Sequence, residues 1–168
     1  KVELNEYLKV DLREIISPNR PVSFLDSIGV GTIINNDTAF VSIRDTLLVE
    51  GNVGLDSLKF VVTTDKLVDS LKIVYSTFDS TAFIADNDYV GVNDTLCLTG
   101  LVDTIKVAVQ SDTKVELNEF IKISLTEIIP NNRTVFYMDS SAIGTIVNDD
   151  TARVTIRDTM IVEGDAGA

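Results

Sequence analysis

The chain has 168 residues, with 14 Lys and Arg against 26 Asp and Glu, a formal net charge of −12, and no His. Phosphate backbones and anionic membrane faces repel so acidic a chain, which argues against nucleic acid and lipid headgroups as partners. The lack of His removes the imidazole base, the Ser-His-Asp triad and His-ligated zinc, and the single Cys97 removes an internal disulfide or a Cys-cluster metal site.

The first residues introduce a repeat. Lys1-Val2-Glu3-Leu4-Asn5-Glu6 returns as Lys114-Val115-Glu116-Leu117-Asn118-Glu119, an offset of 113 that runs without a gap to the C-terminus. About 32 of the 55 overlapping positions are identical. The unit is therefore of ordinary domain size. Residues 1–37 are expected to be the end of one copy, residues 38–150 a complete copy, and residues 151–168 the start of a third. Partial copies leave sheet edges open and apolar faces uncovered. The chain is thus read as an excerpt of a longer array, whose neighbours are other copies in the same chain or in a filament. No apolar run is long enough for membrane insertion by this segment, and no signal peptide is visible.

Within the complete copy, short alternating runs bounded by Asp, Asn and Gly predict strands. They are A at 39–49, B at 58–64, C at 71–78, D at 94–99, E at 104–110, F at 119–128 and G at 142–148. Ile105, Val107 and Val109 alternate with Lys106 and Ala108, and Ile121, Ile123 and Leu125 alternate with Lys122 and Ser124. One face of each strand is inward and the other wet, which predicts an all-β, immunoglobulin-like antiparallel Greek-key sandwich. Cys97, between Leu96 and Leu98, is expected in the core, as are Tyr75, Tyr89, Phe60 and Phe83 in core or pole packing.

If every connection reverses direction, the A–B, C–D and E–F loops and the end of G share one pole. Glu50, Asp79, Asp112, Glu116, Glu119, Asn148, Asp149 and Asp150 then gather there from distant parts of the chain. Clustered carboxylates repel one another, and a cation relieves the repulsion. Calcium takes six to eight oxygens, neutral ones included, so Asn148 and the backbone near Lys114 suit it as well. Asp and Asn are also ordinary turn formers, and acidic loops keep a protein soluble.

At these residues the chain closely resembles the Calx-beta repeat, a calcium-binding module of sodium–calcium exchangers and of many large bacterial surface proteins. The matching pieces are Val49-Glu50-Gly51-Asn52-Val53-Gly54, Tyr75 through Ala82, Asp88-Tyr89, Asp112 through Phe120 and Ile143 through Asp150. The resemblance implies calcium ligands at Glu50, Asp79, the acidic run Asp112, Glu116 and Glu119, and the terminal triplet Asn148, Asp149 and Asp150. It places Glu3, Glu6 and Asp37 in the preceding copy's site and Glu163 in the following one. Ser80 stands where the family usually has Gly, and the triplet carries one charge fewer than usual, which weakens binding. The implied function is a structural calcium-binding segment of a large extracellular adhesin or surface filament, with calcium stiffening each junction. The ligand of any such adhesin is not legible here. A regulatory calcium sensor, a calcium-free spacer and a carbohydrate-binding sandwich are the alternatives; two-carboxylate glycosidase chemistry is not needed to explain any acidic group.

A second pattern runs through the chain. Twelve of the 18 Asp residues are followed by Ser or Thr, against roughly three expected by chance from 29 Ser and Thr in 168. It resembles the acceptor motif of a bacterial O-glycosylation system, which makes Ser27, Thr38, Thr46, Ser57, Ser70, Ser80, Thr95, Thr104, Thr151 and Thr159 candidate glycan sites. The competing account is structural: Asp closes a turn, and Thr opens a strand.

Overall fold

A computed structural model describes residues 1–129 and 132–165. It is almost entirely β, and the described residues contain no helix long and apolar enough to cross a membrane. The strands are β1 (Glu6–Asp11), β2 (Ile28–Ile33), β3 (Thr38–Ile43), β4 (Thr46–Val49), β5 (Gly54–Thr64), β6 (Leu71–Asp79), β7 (Asn93–Leu98), β8 (Val102–Ser111), β9 (Glu119–Ile129), β10 (Thr134–Tyr137) and β11 (Ser141–Val147). One sheet has the order β10-β3-β5-β8 and the other β4-β11-β9-β6-β7, while β1 and β2 form a separate hairpin.

Alternation builds the core. Ala39, Val41 and Ile43 on β3, Leu58, Phe60 and Val62 on β5, and Ile105, Val107 and Val109 on β8 turn inward from the first sheet. Leu71, Ile73 and Tyr75 on β6, Ile121, Ile123 and Leu125 on β9, and Ala142 and Ile146 on β11 meet them from the second. The period of two that marked the strands is the period that fills the interior.

The expected strands B to G lie where the pattern placed them, with ends shifted by a few residues. Strand A differs: it breaks at Arg44–Asp45, so that β3 joins one sheet and β4 the other. β3 runs antiparallel to β5, whereas β4 runs parallel to β11. The break is pinned by Asp45, whose Oδ1 accepts a 2.7 Å hydrogen bond from the Ile143 N–H. The inward-facing phase slips at this break, from Ala39, Val41 and Ile43 to Leu48 and Glu50, because the chain crosses to the opposite sheet. β10, which pairs parallel with β3, was not among the expected strands, although Thr134-Val135-Phe136-Tyr137 is a short β-branched and aromatic run. Cys97 is a correction: it is exposed, because β7 is an edge strand that turns Leu98 inward and its neighbour outward. Tyr89, Tyr75 and Phe60 are buried, while Phe83 is exposed.

The hairpin β1–β2 repeats the geometry of β9 and β11 at the 113-residue offset. Glu6 pairs with Ile33 as Glu119 pairs with Ile146, and the correspondence holds through to Asp11 with Ile28 and Ser124 with Ser141. Leu8, Val10 and Ile33 are exposed, although their counterparts Ile121, Ile123 and Ile146 are buried. Residues 151–165 form no regular element, and Val154 and Ile156 are exposed although their counterparts Val41 and Ile43 are core. The last three residues of the expected third piece lie outside the described residues.

Gly144 sits where β11 closely approaches the opposite sheet. A Cβ there would lie 2.7 Å from Phe60 Cζ and 2.8 Å from Leu58 Cδ1, both fully buried. Gly144→Ala is expected to cost about 1–3 kcal/mol through overpacking. The equivalent Gly31 faces only the half-exposed Leu8, so Gly31→Ala should be close to neutral. Urea unfolding of the two variants checks this; equal midpoints would disprove the close approach.

Candidate metal centre

The expected acidic pole forms, and sheet register explains how. Parallel pairing of β4 with β11 sets Val49 opposite Val147, so Glu50 and the triplet after β11 leave the sheet side by side. The Glu50 N–H donates to the Val147 carbonyl at 3.0 Å, and the Gly51 N–H donates to Asp149 Oδ1 at 3.0 Å. Gly51 has φ of +75°, a turn that few side-chain-bearing residues adopt readily. β5 pairs with β8 from Gly54 and Ser111 inward, and Ser111 Oγ donates to the Glu50 carbonyl at 2.6 Å. The acidic segment after β8 therefore begins against Glu50.

Asn148 is the clasp of that segment. Its Nδ2 donates to the Lys114 carbonyl at 2.9 Å, its backbone N–H donates to Asn118 Oδ1, and its own Oδ1 accepts the Asp150 N–H. The side chain and backbone expected as neutral ligands thus bind each other and hold the loop in shape. Lys114 also forms an ion pair with Glu116.

Glu50 is only 9% exposed. Burial, then the charges of Asp112, Glu116, Asp150 and Asp149, pushes its carboxyl up to about 7. Burial, then Asp88 and Glu116, likewise pushes Glu119 up to about 7. The Asp150 carboxyl is raised by desolvation and by Asp149 and Asp112, and its Oδ2 is buried with no hydrogen-bond partner among the described residues. Glu116 is common to the groups around Glu50 and Glu119, so the pole is one continuous acidic basin.

The tightest set of donors is Asp88, Glu116 and Glu119, each half-buried, with one oxygen from each within 4.8 Å of the others. Asp88 was not among the expected ligands. It arrives because residues 80–92 fold back along β8: the Val90 N–H donates to the Ala108 carbonyl, the Gln110 N–H donates to the Asp88 carbonyl, and Tyr89 bridges to Val109. Asp88 Oδ2 also accepts the Phe83 N–H at 2.7 Å. The Asp88-Tyr89 pair is visible in the sequence, but only this fold-back gives it a place at the pole. Asp79 has a supporting position instead: its Oδ1 accepts the Tyr89 hydroxyl at 2.6 Å and the Ile84 N–H at 3.2 Å.

The flanking sites are partial. Glu3 lies 3.2 Å from the Lys1 ammonium, and Asp37 lies 3.2 Å from Lys66 Nζ, which holds its carboxyl below the usual range. Glu6 and Glu163 are exposed. Among the glycan candidates, Ser70, Ser80, Thr95, Thr151 and Thr159 are exposed, while Ser27, Thr38, Thr46, Ser57 and Thr104 are half-buried. Asp56, Asp94 and Asp103, each within the first three residues of a strand, accept the N–H of the following Ser or Thr at 2.6–2.7 Å, a local side-chain-to-backbone hydrogen bond at three of the twelve motifs.

The donor set fits a hard cation. It is all oxygen, largely anionic, partly desolvated, and includes a buried oxygen, Asp150 Oδ2, that lacks a hydrogen-bond partner among the described residues. In metal-free protein the fold holds Glu50 and Glu119 at about 7, whereas 4.5 is the ordinary value, so the folded state binds more protons than the unfolded chain between those values. Their stabilising contribution is complete below about pH 4.5 and is lost as pH rises through about 7. Thermal melts in chelator should therefore shift to lower temperature across that window. Glu50→Gln should flatten the slope, and a profile that rises with pH in the parent would contradict it.

No family model matches the chain, and no curated protein matches it in sequence. Solved structures do match in shape. The apo-form Calx CBD1 domain aligns at a TM-score of 0.53 and 22% identity, over 68% of this chain and 100% of that one. The calcium-binding domain CBD12 of CALX1.1 gives 0.53 and 22%, over 66% of this chain and 46% of that one. The Calx CBD2 domain gives 0.51 and 14%, over 66% and 86%. The chain has the β-sandwich fold of these Calx domains.

Proposed function

We propose that this chain is a calcium-binding structural segment of a tandem array of Calx-beta-like sandwiches in a large extracellular adhesin or surface filament. The observation that carries calcium is the basin itself: Glu50 buried beside Asp112, Glu116, Asp149 and Asp150, continuous with the Asp88–Glu116–Glu119 group. Calcium would be held by Glu50, Asp88, Asp112, Glu116, Glu119, Asp149 and Asp150. Its positive charge offsets their mutual repulsion; Asn148, Asp79 and Tyr89 keep the loops in place.

The array is supported by the recurrence of strand register and loop hydrogen bonds at one fixed offset. Units of this kind share a junction, and a cation at the junction ties the exit of β11 to the entry of β5. The neighbours in this reading are other copies of the repeat, and the segment is neither an enzyme nor a membrane anchor. O-glycans on the exposed Ser70, Ser80, Thr95, Thr151 or Thr159 would add hydrated bulk around the strands. A second reading, a regulatory calcium sensor, draws on the calcium-binding domains whose fold the chain shares.

Binding to the folded state alone raises stability by mass action. Calcium at 100 times its dissociation constant should thus add about 2.7 kcal/mol. Scanning calorimetry with calcium and with chelator measures this. Glu50→Gln should raise the melting temperature in chelator, by removing a buried charge, and shrink the calcium-induced rise. Identical melting of the parent in calcium and chelator would favour the calcium-free spacer.

A further inference from the structure

The upstream hairpin touches the complete copy at one point that the acidic pole does not explain. Val2 is fully buried and belongs to the core cluster of the complete copy, together with Val68 and Leu71. Its N–H donates to the Leu67 carbonyl at 2.8 Å, and the Asp69 N–H donates to its carbonyl at 3.2 Å, a parallel bridge between Val2 and Val68. Charges surround this plug. Lys1 Nζ lies 3.2 Å from Glu3 and 3.9 Å from Asp69, and Lys66 Nζ lies 3.2 Å from Asp37. The loop between β5 and β6 is therefore a socket, and the Lys1–Glu3 segment with Asp37 is the plug.

The same plug is present 113 residues later. Asn35 Nδ2 donates to the Lys1 carbonyl at 3.2 Å, as Asn148 Nδ2 donates to the Lys114 carbonyl at 2.9 Å. The Asn35 N–H donates to Asn5 Oδ1 as the Asn148 N–H donates to Asn118 Oδ1, and the Asp37 N–H to Asn35 Oδ1 as the Asp150 N–H to Asn148 Oδ1. Lys114 pairs with Glu116 as Lys1 pairs with Glu3. The difference is at the tip: Val115 is 51% exposed, whereas Val2 is 0% exposed. The shape is thus built by the loop's own hydrogen bonds, with or without a socket over it.

We propose that Val115 is the plug for the next socket: the Asp65–Leu71 loop of a following copy of this repeat, with that copy's Lys66 facing Asp150 and its Asp69 facing Lys114. One unit then carries socket and plug at opposite poles, a heterologous contact that propagates along a line instead of closing on itself. Covalent linkage of the copies makes so small a contact effective, because the second surface is present at high local concentration. This inference rests on the repeat-array reading but not on calcium.

The test uses the chain lengthened after Ala168 by a second copy of residues 56–150, in a Cys97→Ser background. Val115→Cys is paired with Val68→Cys in the added copy, and the built-in junction is trapped separately with Val2→Cys and Val68→Cys. Residues paired across such a bridge are close enough for a disulfide. Mild oxidation should close both pairs at comparable rates, well above a control pair of Val115→Cys with Lys59→Cys of the added copy. Closure in calcium, in chelator or in both supports the plug, so the answer is separable from whether calcium stabilises the fold. Closure of the Val2 pair with no Val115 closure above the control, in either condition, overturns it. A reading without cysteines is Val115→Asp, which should lower the melting temperature of the lengthened chain and leave the 168-residue chain unchanged. An equal effect in both chains, or none in either, also overturns the proposal.

Discussion

Like charge forced together at one pole is the constraint on which the rest of the structure turns. Seven carboxylates converge there, and two of them, Glu50 and Glu119, are desolvated enough to hold protons near neutrality. Burying unpaired carboxylates is costly, and a fold that does so places them against something rigid. Here the support is the sandwich core immediately beneath, with Ile121 and Ile146 buried next to the strand ends that carry the acidic loops. Pairing of β4 with β11 and of β9 with β11 fixes the strand ends from which Glu50, Glu119 and the Asn148–Asp150 triplet project.

That support depends on two features of the backbone. The break between β3 and β4 lets one stretch of chain join both sheets, and it aims Glu50 at the triplet after β11. Gly144 lets β11 press closely on Phe60 and Leu58. Pairing of β4 with β11 within one sheet sets Glu50 beside Asp149, although they come from positions almost 100 residues apart.

The junction follows from the same loops. The segment that offers Glu116 to the basin also offers Val115 to solvent, and its upstream twin offers Glu3 and Val2. The proposed interdomain contact and the proposed cation site, built on one short segment, would share its rigidity. Asn148 and Asn35, which fasten that segment in the two copies, hold both features in place.

Much of this was legible in the residues. The 113-residue repeat, the period of two and the parity of the connections sufficed for most strands, fold class and acidic pole, because those properties are local or are carried by an ungapped internal repeat. Glu50, Glu116 and Glu119 could be placed at the pole from strand ends alone. Three things could not. Asp88 reaches the basin only because residues 80–92 fold back along β8, a contact between distant segments that leaves no periodic trace. Cys97 lies outside the core because β7 is an edge strand whose inward face is set by its pairing with β6. Strand A is divided between two sheets, and its inward phase slips by one residue at the break because its pairing partners change there. The sequence by itself determined the alternation, the repeat and the charge; the tertiary structure decided which carboxylates share one desolvated space and how a neighbouring copy seats, because both depend on register between segments far apart in the chain.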